Sequence, residues 1–273
     1  MIGNLILIAK SIILGIVEGI TEFLPISSTG HMIIIGRFIN FEGDFAKLFE
    51  IVIQLGAILA VVFLFRKKIS NSFKKLKPGE EGFKLWTSLL LAFVPAGIIG
   101  LLFHDTIEKY LMNPLTVACA LLFGGIWMIY AENKYRDKNT IQEIEQVGYK
   151  TAFVIGCFQC LALVWPGFSR SAATIIGGWI MGLSSVAAAE FSFFLAIPTM
   201  IIATVFALLK SNLVLTLPQV AALIVGFVVS FFVAVVVVAN FIRFLQTKPM
   251  KSFAIYRILV GILILIFVFF KVI

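Results

Sequence analysis

Glu18 and Glu22 stand four residues apart in an otherwise apolar stretch, so on a helix they share one face. A carboxylate inside a bilayer costs at least about 2.5–3.5 kcal/mol, and two together also repel. Such a pair persists where a cation, a water-filled cavity or a proton relay compensates it. The plainer reading is a satisfied pair near the membrane surface. The turn FLPISSTGH follows at once. Pro25 disfavours helix at Leu24, so the first helix should stop there. Ser27, Ser28 and Thr29 are good N-caps for a next helix, whose free N–H groups form an anion site. Gly30 lets a backbone or ligand come close, and His31 exchanges protons near neutral pH. Plain capping accounts for this turn, taken alone, equally well.

A second turn, WPGFSRSAAT, repeats the scheme with the opposite charge. Pro166 and Gly167 break a helix, and Ser169 and Ser171 can cap the next. Arg170 offers a rigid fork of donors suited to phosphate oxygens, with Thr174 one turn further on. A snorkelling arginine is the plainer alternative. If the two tips meet, helix N-termini, an arginine, hydroxyls, a histidine and two carboxylates converge. The donors bind a polyanion, and the carboxylates can sit beside it only with a divalent cation between. Mg²⁺ typically takes one or two carboxylates plus substrate phosphates. The constellation therefore reads as a metal-assisted diphosphate site, and its apolar walls make the rest of the substrate a lipid. On this reading Glu18 and Glu22 hold the divalent cation (Mg or Ca), and Glu22 is also a candidate base. Arg170 binds phosphate oxygens together with Ser27, Thr29, Ser169, Ser171 and Thr174. Ser28 attacks or orients the attacking group, and His31 transfers protons. The nucleophile stays open between a metal-polarised water, Ser28, Ser27 and His31. Glu50 and Glu190 are weaker candidates, since an acid near a helix N-terminus is stabilising anyway. Gln54 is a further candidate for lining the cavity.

These residues need membrane helices to hold them. Hydrophobic residues make up 61% of 273 positions and charged ones only 13%, against about 45–50% and 25% in soluble domains. Residues 213–242 carry no charge at all, which exceeds the roughly 20 apolar residues of a spanning helix. A soluble core would need polar helix faces that are missing here. The net charge of +8 would hint at nucleic acid in a soluble protein. Here the basic residues sit in short loops, where they orient a membrane chain, and no nucleic-acid partner is expected. Cys157 and Cys160 form a lone CxxC inside an apolar run, so packing explains them better than redox or zinc chemistry. The same holds for the glycine pairs Gly15/Gly19 and Gly178/Gly182, read as close helix contacts. The N-terminal apolar run carries two glutamates and leads into more membrane, which argues against a cleaved signal.

The expected fold is an all-α polytopic membrane protein. Apolar runs fall at 3–24, 30–41, 45–65, 85–103, 114–131, 150–165, 171–183, 186–209, 213–242 and 253–270. The pairs around the two turns are short for two spans each, as in re-entrant hairpins of a repeat protein. Aligned without a gap, Glu18 falls on Gln159, Pro25 on Pro166 and Ser28 on Ser169. A single membrane domain, residues 1–273, would thus comprise repeat 1 (about 1–134) and repeat 2 (about 148–273), joined by a cytoplasmic loop. The Lys/Arg cluster at 66–77 should be cytoplasmic. Counting from it puts residues 104–113 outside and 132–150 inside. The result is an inverted-topology repeat with about six spans, two re-entrant hairpins and both termini outside. A polyprenyl-lipid transporter or flippase is the alternative, because inverted repeats with broken helices are also the transporter plan. Transport alone, however, needs no metal-poised scissile phosphate.

At these turns the sequence resembles the bacterial undecaprenyl-diphosphatase family, the bacitracin-resistance proteins. The resemblance rests on EGITEFLPISSTGH, FEGDFAKLFEIVIQLGAILAV, FHDTI, GCFQCLALVWPGFSRSAATIIGG and EFSFFLAIP, and it spans nearly the whole chain. The family's glutamate-rich motif falls on Glu18 and Glu22, its PGxSRS motif on residues 166–171, and its histidine on His31. Ala172 departs from it, where the family often has Gly. The resemblance implies hydrolysis of undecaprenyl diphosphate to the monophosphate carrier lipid of peptidoglycan synthesis, divalent-cation dependence, and bacitracin resistance on overproduction. It also implies a homodimer in the bacterial plasma membrane, with the site open towards the periplasm.

Overall fold

The structure is a computed structural model that describes residues 2–210 and 213–272, with every side chain among them except that of residue 104. It is helical throughout: α1 Ile2–Thr21, α2 Ser28–Phe38, α3 Asp44–Leu64, α4 Arg66–Lys74, α5 Glu81–Leu111, α6 Pro114–Tyr135, α7 Tyr149–Val164, α8 Arg170–Ile180, α9 Ser185–Lys210, α10 Leu217–Thr247 and α11 Lys251–Phe269. Among the described residues the only β feature is an isolated bridge, Ile141 to Leu183. Seven helices are long and apolar enough to cross a membrane: α1, α3, α5, α6, α9, α10 and α11. The protein is an integral membrane protein of the all-α polytopic class. The seventh span beyond the six counted in the sequence is α1, which is also the first arm of a hairpin and at 20 residues measures about 30 Å.

The short helices are the informative ones. α2 and α8 have 11 residues each, about 16 Å long, roughly half the hydrocarbon thickness. Each follows a Pro-containing turn and starts in mid-bundle. α1 stops at Thr21, before the expected Leu24: the chain leaves the helix with Glu22 N–H still bonded to the Glu18 carbonyl (2.9 Å). Two segments expected as loops are helical. The basic cluster forms α4, where Phe73 stacks on Trp86 (4.7 Å between centroids) and the indole N–H donates to Ser72 Oγ (3.0 Å). α5 runs through the predicted 104–113 loop, its 31 residues including Pro95.

α1 packs on α10 and α7 on α5, while α6 pairs with α11 and α3 with both α9 and α10. Each hairpin thus leans on a helix of the other half. The α1–α10 seam brings backbones together. A Cβ on Gly15 would lie 2.7 Å from the Gly226 carbonyl oxygen, and one on Gly19 2.8 Å from that of Ser230. The second expected glycine pair is different. Gly178 does pack on Ala188, but Gly182 sits in the turn after α8 with φ +85°, where its backbone freedom matters and a Cβ would also lie 3.1 Å from Thr140 Oγ1. Its carbonyl accepts from Thr140 and Ile141 N–H (2.8 and 2.9 Å).

Ion pairs mark the two ends of the bundle. At one end Lys68 bridges Glu190 (2.8 Å) and Glu145 (3.5 Å), and Lys75 pairs with Glu81 (2.9 Å). At the other, Lys47 pairs with Glu108 (2.6 Å) and Lys210 with Asp105. α5 joins the two ends. The α1/α2 hairpin enters from the Lys47–Glu108 end, where Lys10 Nζ donates to the Asn40 carbonyl (2.9 Å). The α7/α8 hairpin enters from the opposite end, where Ser184 N–H donates to the Ile141 carbonyl (2.8 Å).

Candidate active site

The two hairpin tips meet inside the bundle. Each short helix is started by the same device. Ser27 caps α2, its Oγ accepting from Gly30 N–H (3.4 Å), and Ser169 caps α8, its Oγ accepting from Ala172 N–H (3.3 Å). Both capping serines have positive φ, 69° and 74°, a costly state for a residue with a side chain that clusters at functional sites. The gapless alignment had set Ser28 against Ser169. The caps instead pair Ser27 with Ser169, and therefore Ser28 with Arg170. The second turn has one more residue after its proline, Gly167; its φ of +96°, and the 2.7 Å at which a Cβ there would lie from the Val117 carbonyl oxygen, demand glycine.

Ser28 and Arg170 are thus the first residues of their helices, and both reach Glu22. The Ser28 hydroxyl donates to Glu22 Oε2 at 2.6 Å, and Arg170 Nη2 donates to Glu22 Oε1 at 3.2 Å. The pair is almost fully covered, with side-chain exposures of 12% for Arg170 and 5% for Glu22. Arg170 Nη1 donates to the Ser192 carbonyl on α9 (2.9 Å), and its guanidinium lies 5.9 Å from the Phe23 ring centre. Ser171 Oγ donates to the Leu24 carbonyl (2.9 Å) and lies 3.0 Å from Ser169 Oγ. Thr174 Oγ1 donates to Ser192 Oγ (2.8 Å) or the Arg170 carbonyl (2.9 Å). These three hydroxyls, expected on phosphate oxygens, here tie the second turn to the first turn and to α9.

Several polar atoms in this closed cluster have no partner. Both carboxylate oxygens of Glu18 are buried without a hydrogen bond, and so is Arg170 Nε. Buried charges without partners are expensive, so the free Glu18 oxygens would suit a cation and the free Arg170 Nε an anion. Glu18, with both oxygens free, and Glu22 one helical turn on could together hold a hard divalent cation that completes its shell with phosphate oxygens. Among the described residues no group of three or more His, Cys, Asp or Glu side chains gathers to form a cage by itself. Gln159, aligned with Glu18, is also buried without partners, but its neutral amide brings no charge.

His31 takes another position. Its Nδ1 lies 2.8 Å from the Ser27 carbonyl oxygen and its Nε2 2.8 Å from the Tyr256 hydroxyl. A carbonyl only accepts, so Nδ1 carries a proton. The ring stacks on Tyr256 of α11 (5.6 Å, 6°), one residue behind Ser27 rather than on Glu22. Thr29, His31, Glu50 and Gln54 are partly exposed. Glu190, the counterpart of Glu50, is spent on Lys68 at the bundle end.

Sequence reasoning missed Arg257. It is fully buried on α11 and bonds to carbonyls of both turns. The signal was present: a charged residue inside the apolar run 253–270, where an ionisable group is functional by default.

Known proteins resemble this chain over nearly its whole length. The undecaprenyl-diphosphatase of Clostridium tetani is 53% identical, over 98% of this chain and 99% of that protein. That of Clostridium novyi is 54% identical over 99% of each, and that of Caldanaerobacter subterraneus subsp. tengcongensis 54% over 98% of each. The family profile described as bacitracin resistance protein BacA matches residues 11–263, which include both turns. With both turns inside that match and relatives alike over nearly their whole length, the chain belongs to the bacitracin resistance protein BacA family.

Proposed function

We propose that the protein hydrolyses undecaprenyl diphosphate to undecaprenyl phosphate and inorganic phosphate, and so recycles the carrier lipid of peptidoglycan synthesis and confers bacitracin resistance. The observation that carries this reading is the double grip on Glu22 by the first residues of two opposed helices, Ser28 and Arg170. A hydroxyl 2.6 Å from a carboxylate is a nucleophile–base pair within proton-transfer reach. The α2 and α8 N-termini and the free Arg170 Nε supply donors to a phosphate.

In the proposed reaction the terminal phosphate lies between Ser28 and Arg170. Glu22 accepts the proton of the attacking oxygen, from Ser28 or from a water that Ser28 orients. The new O–P bond forms as the bond from phosphorus to the bridging oxygen breaks, and the lipid monophosphate leaves; if the attacking oxygen is that of Ser28, water then cleaves the phosphoserine, which frees inorganic phosphate and restores the hydroxyl. Arg170 holds the phosphate oxygens, because phosphoryl transfer is mostly positioning and charge stabilisation. A divalent cation bound to Glu18 and Glu22 would neutralise charge on the diphosphate. His31, fixed by the Ser27 carbonyl and Tyr256, sits one step out and exchanges protons with solvent.

The proposal includes the setting. The two halves, about 1–134 and 148–273, act as an inverted repeat, supported by matched Ser caps and by hairpins entering from opposite ends. The α4 end faces the cytoplasm of a bacterial cell, supported by the basic cluster at 66–77. The site opens to the outer face of the plasma membrane, supported by the partly exposed Glu50 and Gln54 on the half of α3 nearer that end and by the partly exposed Thr29 and His31 at the mid-bundle start of α2. The working unit is a homodimer, as the family resemblance implies. The deciding experiment is phosphate release from a polyprenyl diphosphate by detergent-purified protein, with no membrane gradient. Steady release upon addition of Mg²⁺ or Ca²⁺ is expected. Binding without release would leave a carrier rather than a hydrolase.

A further inference from the structure

We propose that Arg257 is a positioning residue that fastens the two turns to each other and so holds Ser28 and Arg170 on Glu22. This rests on the site reading above. The Arg257 side chain is wholly buried in the middle of the bundle, on α11. Its two terminal nitrogens serve different turns. Nη1 donates to the Pro25 carbonyl of the first turn (3.4 Å). Nη2 donates to the Phe168 and Gly167 carbonyls of the second (2.6 and 3.3 Å) and reaches Ala120 on α6 (3.4 Å). The guanidinium also lies over the Phe168 ring, 5.6 Å from its centre. Among the described residues no carboxylate pairs with it, and its acceptors are all backbone carbonyls.

The physics explains why an arginine stands there. Turns at membrane depth leave carbonyls that no helix satisfies, and lipid offers no water to do so. A planar fork with five N–H groups can satisfy carbonyls on two sides at once, whereas an ammonium is a single point of donation. The fold makes room for the fork. A Cβ on Gly124 of α6 would lie 2.5 Å from Arg257 Nη2 and 3.0 Å from its Cζ. The carbonyls it holds lie a few residues from the reacting groups: Pro25 before Ser28, and Phe168 before Arg170. Tyr256, the preceding residue, holds His31 (2.8 Å), so α11 carries supports for both turns. None of the Arg257 hydrogen bonds goes to Glu22, Ser28 or Arg170, so it acts through the turns.

The test uses full-length protein in detergent, with Mg²⁺ and a polyprenyl diphosphate. Arg257→Lys keeps the charge and loses the fork. Gly124→Ala keeps the whole arginine but pushes its guanidinium aside. Misplacing reacting groups by about 1 Å costs on the order of 100-fold, so kcat should fall by about that factor in both variants. KM and the melting temperature should stay near the parent's, since substrate binding and the fold are left in place. Parent-like kcat in both variants overturns the proposal, as does a loss confined to KM, which would make Arg257 a substrate-binding group. Failure of both variants to fold overturns it too, because the arginine then holds the bundle rather than the site. Arg170→Ala is the control on the site reading. If it turns over normally, that reading has failed. If it is inactive while Arg257→Lys and Gly124→Ala are normal, only the present proposal has.

Discussion

Replacing Arg170 by lysine separates charge from geometry at the centre of the site. The guanidinium spans two acceptors with two nitrogens, Ser192 carbonyl at 2.9 Å and Glu22 Oε1 at 3.2 Å, and leaves Nε free for a phosphate oxygen. One ammonium cannot take over all three directions. Losing one hydrogen bond to a charged group costs about 1.5–3 kcal/mol, which corresponds to roughly a 10- to 150-fold fall in kcat/KM. Arg170→Ala removes the charge as well. An arginine that stabilises a transferring phosphoryl group is worth roughly 10³–10⁵ in kcat, so alanine should cost about 1000-fold or more. Phosphate release from a polyprenyl diphosphate by purified protein at fixed Mg²⁺ measures both. The melting temperature of each variant in detergent separates lost chemistry from lost fold. Lys75→Ala, at an exposed pair with Glu81, should behave as the parent. A lysine variant as active as the parent, or an alanine variant with most of its activity, would refute the assignment of Arg170 to the phosphate.

Glu22→Gln keeps size but loses both the cation and the base, so phosphate release should nearly vanish in folded protein. Glu18→Gln should weaken divalent-cation activation, and parent-like metal dependence in the Glu18→Gln/Glu22→Gln variant would sink the metal assignment. Ser28→Ala divides two mechanisms: complete loss, with a phosphoserine trapped in the parent, means covalent catalysis, whereas partial loss means a water oriented by Ser28. Near-normal turnover in Ser28→Ala would remove Ser28 from the mechanism. For orientation, single cysteines at Lys75 and at Asn139 should label only from the cytoplasm and one at Asp105 only from outside; labelling of Lys75 and Asp105 positions from the same side would contradict the span count.

Much of this protein is legible in sequence because the bilayer leaves few choices. Apolar runs must become helices, since lipid satisfies no backbone groups. The rare ionisable residues within them, Glu18, Glu22 and Arg170, announce themselves by their cost. Pro25 and Pro166 mark where helices break. The family resemblance followed from the same residues. What the sequence left undecided were relations between distant segments. Hydropathy could not distinguish a basic loop from α4, because an interfacial helix has a polar face. Gapless alignment paired Ser28 with Ser169, because the extra Gly167 that shifts the register shows only where both caps are seen with positive φ. Equal spacing could not show that Ser169, Ser171 and Thr174 hold the turns together, or that His31 turns to Tyr256. Arg257 stands far along the chain from either turn, and only packing of α11 against α6 carries its guanidinium to Pro25 and Phe168. The single-chain pattern fixes which groups are too costly to be idle. Which of them touch is decided by tertiary packing, because hydrogen bonds act over about 3 Å and sequence separation carries no such distance.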